Sequence, residues 1–219
     1  MSDQRNAAAI VAASLILASL LFLYFTLHGF GPKSETAAHE ALGETLAQEA
    51  LKLRGSGGRI TVIARDTSLQ KNPLADAQLQ SFQRTIRKAR ATNSNVLIKL
   101  NPIRLVAVPP NDFFELIKKR SEEDVIVSLI GPPELSDKQV SLLGDKRPKI
   151  VAVCSGWTPR QVDLRRIFEQ GLLTSAVISR DESGKGGAGG SSESFNKSFA
   201  LITPSNVSDL PLVARAAAK

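Results

Sequence analysis

Residues 124–133 read Asp124-Val125-Ile126-Val127-Ser128-Leu129-Ile130-Gly131-Pro132-Pro133. Five of the six residues at 125–130 are apolar and none is charged. A strand with one wet face alternates apolar and polar residues, so an unbroken apolar run implies a sheet covered on both faces. Gly131 and the two prolines then stop the strand. Ile150-Val151-Ala152-Val153 repeats the pattern.

On either side of these runs, strand and helix patterns alternate. Ile60-Thr61-Val62-Ile63-Ala64 is rich in β-branched residues and reads as a strand. A helix is expected over 74–91, with Leu79, Phe82, Ile86 and Ala89 as its apolar side. Residues 96–108 hold one or two strands, broken at Asn101-Pro102 because proline is poorly tolerated in a central strand. A short helix over 110–120 turns Phe113, Phe114 and Ile117 inward, and 134–143 is helical. Residues 159–170 form a helix with Pro159 in its first turn. Strands follow at 173–178 and 199–202, and a helix over 209–217 closes the chain. Alternation every ~20–25 residues implies βαβ units and a mostly parallel sheet. Right-handed crossovers place helices on both faces. The expected fold is α/β: one doubly wound, mostly parallel-sheet, Rossmann-like domain over residues 59–219.

Ahead of this domain, residues 7–27 carry no charge. At ~1.5 Å rise per residue, a helix of that length crosses a hydrocarbon core of ~30 Å. A cleaved signal peptide is the alternative. Its apolar region is shorter, ~7–15 residues, and ends in a small-x-small site. Tyr24-Phe25-Thr26-Leu27-His28 offers no such site. The division expected is a tail at 1–6, a single-pass transmembrane anchor at 7–28 and a helical stalk or linker at 29–58. The stalk helix, 35–54, repeats Ala38, Leu42, Leu46, Ala50 and Leu53 at helical spacing. It is a stalk or a docking element, and packing on its own domain is preferred to a helical contact with a partner. Arg5 and the free amine outweigh Asp3, which places the N-terminus inside and the domain outside the cytoplasm, in the periplasm if the source is bacterial.

The 219 residues are 42% hydrophobic and 22% charged, a globular composition. Aromatic residues make up only 5%, against a base-stacking or sugar-stacking surface. The net charge of +7 suits anionic lipid headgroups or an acidic partner. No recognition motif accompanies the charge, so nucleic acid is not an expected partner. Arg84, Arg87, Lys88 and Arg90 crowd one helix end, where cations complement the helix dipole. Cys154 is the sole cysteine, so no intrachain disulfide forms. His28 and His39 lack the neighbours a metal site needs, and neither metal nor cofactor is expected.

In doubly wound sheets, ligands bind at the loops after the strand ends. Five segments qualify: Arg65-Asp66-Thr67, Pro109-Pro110-Asn111-Asp112, Gly131-Pro132-Pro133, Cys154-Ser155-Gly156-Trp157-Thr158 and Ser179-Arg180-Asp181. The expected ligand rim is Asp66, Thr67, Asn111, Asp112, Gly131, Ser155, Gly156, Trp157 and Thr158. Gly184-Lys185-Gly186-Gly187-Ala188-Gly189-Gly190 lacks the order of a nucleotide-binding loop and reads as a flexible stretch over 183–192.

Two resemblances bear on function. Cys154 and Arg160 stand at the spacing C-x5-R between a strand and a helix. This resembles the phosphate loop of cysteine-dependent tyrosine phosphatases, and implies Cys154 as nucleophile and Arg160 as phosphate clamp. The sequence departs from that pattern at Trp157, which stands where the family has Gly, at Pro159, and at Gln161 after the arginine. Second, the alternation and the stretches 124–133 and 150–159 resemble one lobe of bacterial solute-binding proteins. A single lobe implies a partner, or a second copy, to close a site. The reading that combines these features is a membrane-anchored, non-catalytic binding or scaffolding domain of an envelope assembly. It touches lipid through residues 7–27 and a protein partner or a homo-oligomer mate through the domain. A small hydrolase using Cys154, or a surface module for anionic lipid, are the alternatives.

Overall fold

Successive side chains of a strand point to opposite faces, and here both sets are buried. In β1 (Ile60–Arg65), Ile60 and Val62 face one side and Ile63 the other, all fully enclosed. β3 (Val125–Ser128) and β4 (Lys149–Cys154) repeat this, with Val125, Val127, Val151 and Val153 on the first face and Ile126, Ile150 and Ala152 on the second. The unbroken apolar runs are therefore central strands covered on both sides. The computed structural model describes residues 16–20, 23, 33–68, 70–98, 108–154, 162–180 and 191–209.

Among the described residues the sheet has six strands. β2 (Asn93–Ile98), β5 (Ser175–Ser179) and β6 (Phe199–Ile202) complete it in the order β2-β1-β3-β4-β5-β6. β1 to β5 pair in parallel, and β6 runs antiparallel on β5. The sheet is mixed rather than wholly parallel. Its strand order also departs from the 3-2-1-4-5-6 order of dinucleotide-binding sheets. Direction reverses next to β1, which pairs β2 on one side and β3 on the other.

Among the described residues, α1 (Lys33–Leu53), α2 (Pro73–Lys88) and α6 (Ser191–Ser198) cover the first face. Leu42 and Leu46 of α1, Phe82 and Ile86 of α2, and Phe195 of α6 join the strand valines there. α3 (Pro110–Lys118) and α5 (Leu164–Glu169) cover the second face through Phe113, Ile117, Ile167 and Phe168. Each such side chain contributes roughly 1.5–3 kcal/mol of burial. α4 (Asp137–Leu143) sits more shallowly, with only Val140 and Leu143 partly buried against that cluster.

Several boundaries differ from the sequence reading, each for a local reason. The helix expected over 134–143 starts at Asp137, because Ser136 and Gln139 form a capping box and the prolines before it hold the chain extended. The helix over 74–91 starts at Pro73, which Asn72 caps, and stops at Lys88. β2 starts at polar Asn93, ahead of the apolar signal at Val96, because an edge strand needs no apolar residue on its wet side. Ser191 and Ser192, assigned to the glycine-rich loop, open α6. The rest of that loop, the break at Asn101-Pro102 and all but Asp209 of the expected final helix lie outside the described residues; Asp209 ends a short 3-10 turn, Val207–Asp209.

The chain forms two compact units, 1–35 and 36–219. Residue 36 onward belongs with the sheet: Ala41, Leu42, Leu46, Ala47 and Ala50 of α1 are at most 2% exposed. The helix assigned to a stalk over 29–58 is thus, from residue 36, a layer of the domain. Gly43 permits this, since a Cβ there would lie 2.1 Å from the Gln78 carbonyl oxygen of α2. In the first unit, residues 16–20 and 23 are helical, and Ile16, Leu17, Leu20 and Leu23 are exposed. No helix of the described residues is long and apolar enough to cross a membrane. Most of the anchor expected at 7–28 lies outside the described residues.

Candidate functional site

In an open α/β sheet the crevice for a ligand lies beyond the strand C-terminal ends, where the strand order reverses. Here that point is between β1 and β3. Ile63 pairs with Ser128, so Asp66 and Gly131 each lie three residues past the same registered pair. The Leu129 N–H still donates to the Ile63 carbonyl at 2.8 Å, which keeps the two strand ends together. Gly131 then turns with φ 115°, in the region that favours glycine. Gly131, Pro132 and Pro133 are buried, so this wall is rigid and close.

The opposite wall comes from β1. Asp66 accepts the Ser68 N–H at 2.9 Å, a turn closed by a carboxylate. The Thr67 hydroxyl donates to Asp76 Oδ1 at 2.7 Å, which ties the loop to the first turn of α2. Asn72 accepts the Ala75 N–H at 3.1 Å and fixes the start of that helix. Arg65 donates to Gln70 at 3.2 Å. These bonds hold carboxylates and a hydroxyl in the loop between β1 and α2, groups of the kind that hydrogen-bond a small polar molecule.

Asn111 and Asp112, also expected on the rim, behave differently. Asn111 accepts the Gln139 side-chain amide at 3.0 Å, which links the starts of α3 and α4. Asp112 lines a shallow cavity of about 250 Å³ between α3 and the β1–β2 end of the sheet, with Ile63, Val96, Val108, Glu115, Leu116 and Lys119. That volume is below the ~300 Å³ at which ligand pockets begin.

Cys154 ends β4 and is fully enclosed. Burial pushes its thiol up to about 12, and the charge of Glu134 adds to the rise. At neutral pH it is a protonated, apolar-like group, the opposite of the thiolate a phosphatase nucleophile needs. Ser155, Gly156, Trp157, Thr158 and Arg160 lie outside the described residues. Among the described residues no cluster of His, Cys, Asp and Glu could hold a metal ion. Sequence reasoning missed Asp76 and Glu134. Asp76 was legible as the acidic residue of a helix first turn; Glu134 gave no signal, since its proximity to Cys154 depends on β3 lying beside β4.

No family model matches the sequence, and no curated protein matches it significantly. Solved structures do. One described as a LacI transcriptional regulator from Bacteroides fragilis is 8% identical with a TM-score of 0.52, over 78% of this chain and 61% of that one. A carbohydrate transporter solute binding protein from Agrobacterium radiobacter, in complex with D-arabinose, is 10% identical with a TM-score of 0.47, over 80% and 61%. A sugar-binding protein of a sugar ABC transporter from Bacillus halodurans is 11% identical with a TM-score of 0.47, over 83% and 65%. At these identities the first likeness shows the fold alone, and the other two are too distant to carry an argument. The chain spans about three-fifths of the length of the first two structures.

Proposed function

We propose that this chain is a non-catalytic binding domain, anchored in a membrane through residues 7–27 with the domain outside the cytoplasm. Its site is the crevice between the ends of β1 and β3. The observation that supports this is the reversal of strand order at β1, in a parallel register that puts Asp66 and Gly131 each three residues past the same strand pair. The ligand class is a small polar molecule with several hydroxyl or amine donors, which carboxylates at the crevice accept. One wall-and-floor domain leaves such a crevice open on one side. A protein partner, or a second copy of the chain, closes it. Cys154 is structural in this reading.

Titration calorimetry with a panel of small polyols and amines tests the assignment. A compound that binds the intact chain should bind Asp66→Ala at least tenfold more poorly, the loss of about one charged hydrogen bond. A ligand whose affinity is the same in Asp66→Ala and in Gly131→Val would place the site elsewhere.

A further inference from the structure

We infer that the edge of the sheet opposite the crevice is a docking surface for anionic phospholipid headgroups. Every helix-to-strand connection of β1 to β5 lies at the strand N-terminal edge, and three lateral main-chain bonds lock four of them side by side. Ile60 N–H donates to the Thr92 carbonyl at 3.1 Å, Val125 N–H to Arg59 at 2.9 Å, and Lys149 N–H to Asp124 at 3.0 Å. Adjacent strands are ~4.8 Å apart, so the turns form one rigid row. Exposed cations stand along it: Lys88 and Arg90 ahead of β2, Arg59 ahead of β1, Lys119 ahead of β3 and Lys146 ahead of β4. None of the five pairs with a carboxylate among the described residues.

The acids of this edge are fewer than its cations: Glu122, Glu123 and Asp145 are exposed, whereas Asp124 is turned to the fold. Asp124 is 9% exposed and accepts the Arg59 and Ser121 N–H groups at 2.7 and 2.9 Å. Glu123 accepts the Gly57 N–H at 3.3 Å. At the other edge, Arg65, Lys71 and Lys138 are offset by Asp66, Asp76 and Asp137, so the excess of positive charge lies mostly on one side.

The partner follows from what accompanies the charge. Among the described residues this edge exposes no aromatic side chain, as base stacking needs. Its one large exposed apolar residue is Leu142, 64% exposed in the last turn of α4, close in sequence to Lys146. A protein interface needs a contiguous apolar centre; a lone leucine among cations suits a headgroup layer with acyl chains beneath. The chain enters the domain at the crevice edge, where the His39 ring meets Phe199, itself paired with Ser179 at the end of β5. The cations therefore stand about 20 Å of helix away from that end of α1.

The test holds the full chain in phosphatidylcholine nanodiscs and adds vesicles of equal parts phosphatidylcholine and phosphatidylglycerol, with flotation as the readout. Binding should be absent with pure phosphatidylcholine vesicles and weaken steeply with salt. Each cation contributes about fivefold and each reversal also adds an anion, so the triple variant Arg59→Glu, Arg90→Glu, Lys146→Glu should bind more weakly by about a hundredfold or more. Leu142→Ser should reduce binding on its own. Reversing Lys71, Lys138 and Lys197 instead makes the same change in net charge and should leave most binding intact, and thermal melts confirm that both triples fold. Equal binding by both triples, absence of binding by the parent chain, or tighter binding to duplex DNA than to vesicles with the same charge dependence would overturn the assignment. Failure to enter nanodiscs would refute the anchor alone, since the flotation then runs on the free chain.

Discussion

Two titratable residues show how single side chains are committed to the fold. Burial raises the carboxyl of Asp124, but N–H donation from Arg59 and Ser121, with Arg120 nearby, outweighs it and leaves the group below its ordinary 3.8. A carboxyl depressed in the folded state stabilises the fold above its unfolded value, and that contribution fades as pH falls toward the folded value. Asp124→Asn should cost roughly 1–3 kcal/mol at neutral pH, the range for losing hydrogen bonds to a charged group. In urea melts, the gap between variant and parent should narrow below pH ~4. Cys154 has the opposite sign. Its raised value keeps the thiol neutral in the fold, so stability is intact below the ordinary 9.0 and declines as pH climbs toward about 12. Iodoacetamide at mildly alkaline pH should alkylate Cys154 rapidly in urea and hardly at all in the native chain; rapid native labelling would revive a reactive-thiol role.

Among the elements, α1 decides where the domain begins. It crosses the first face from His39 beside Phe199 to Leu53, whose carbonyl accepts Lys149 Nζ at 3.2 Å. Removing it would uncover Val62, Val127 and Val153. A chain beginning at residue 59 should therefore lack a cooperative thermal transition, whereas one beginning at residue 33 keeps it. Leu46→Ala should cost roughly 2–5 kcal/mol for a cavity at an enclosed site. Gly43→Ala should cost about 1–3 kcal/mol, because α1 or the α2 backbone must move apart. A Gly43→Ala melt within error of the parent would mean the two helices do not meet so closely. The apolar spacing of α1 was legible in the sequence and packing on its own domain was the reading preferred, although a partner's surface would select the same residues.

At the scale of the molecule, the two proposed surfaces lie at opposite ends of the strands, the crevice at the strand ends and the basic row at the strand starts. Asp66, Thr67 and Gly131 were visible beforehand as loop residues after strands and Arg90 as one of the cations at a helix end, whereas Lys146 carried no signal of its own. Their grouping was not visible. Alternation of apolar runs with helical spacing is written locally, because each side chain's face follows from the two- or 3.6-residue period of its own element. For that reason the sequence alone determined a sheet buried on both faces, its helical layers and the identity of its central strands. The order β2-β1-β3-β4-β5-β6, the antiparallel β6 and the assignment of α1 to the core came only with the tertiary structure. Those features depend on which distant segments pair, and the backbone hydrogen bonds that join strands are the same whatever side chains the strands carry.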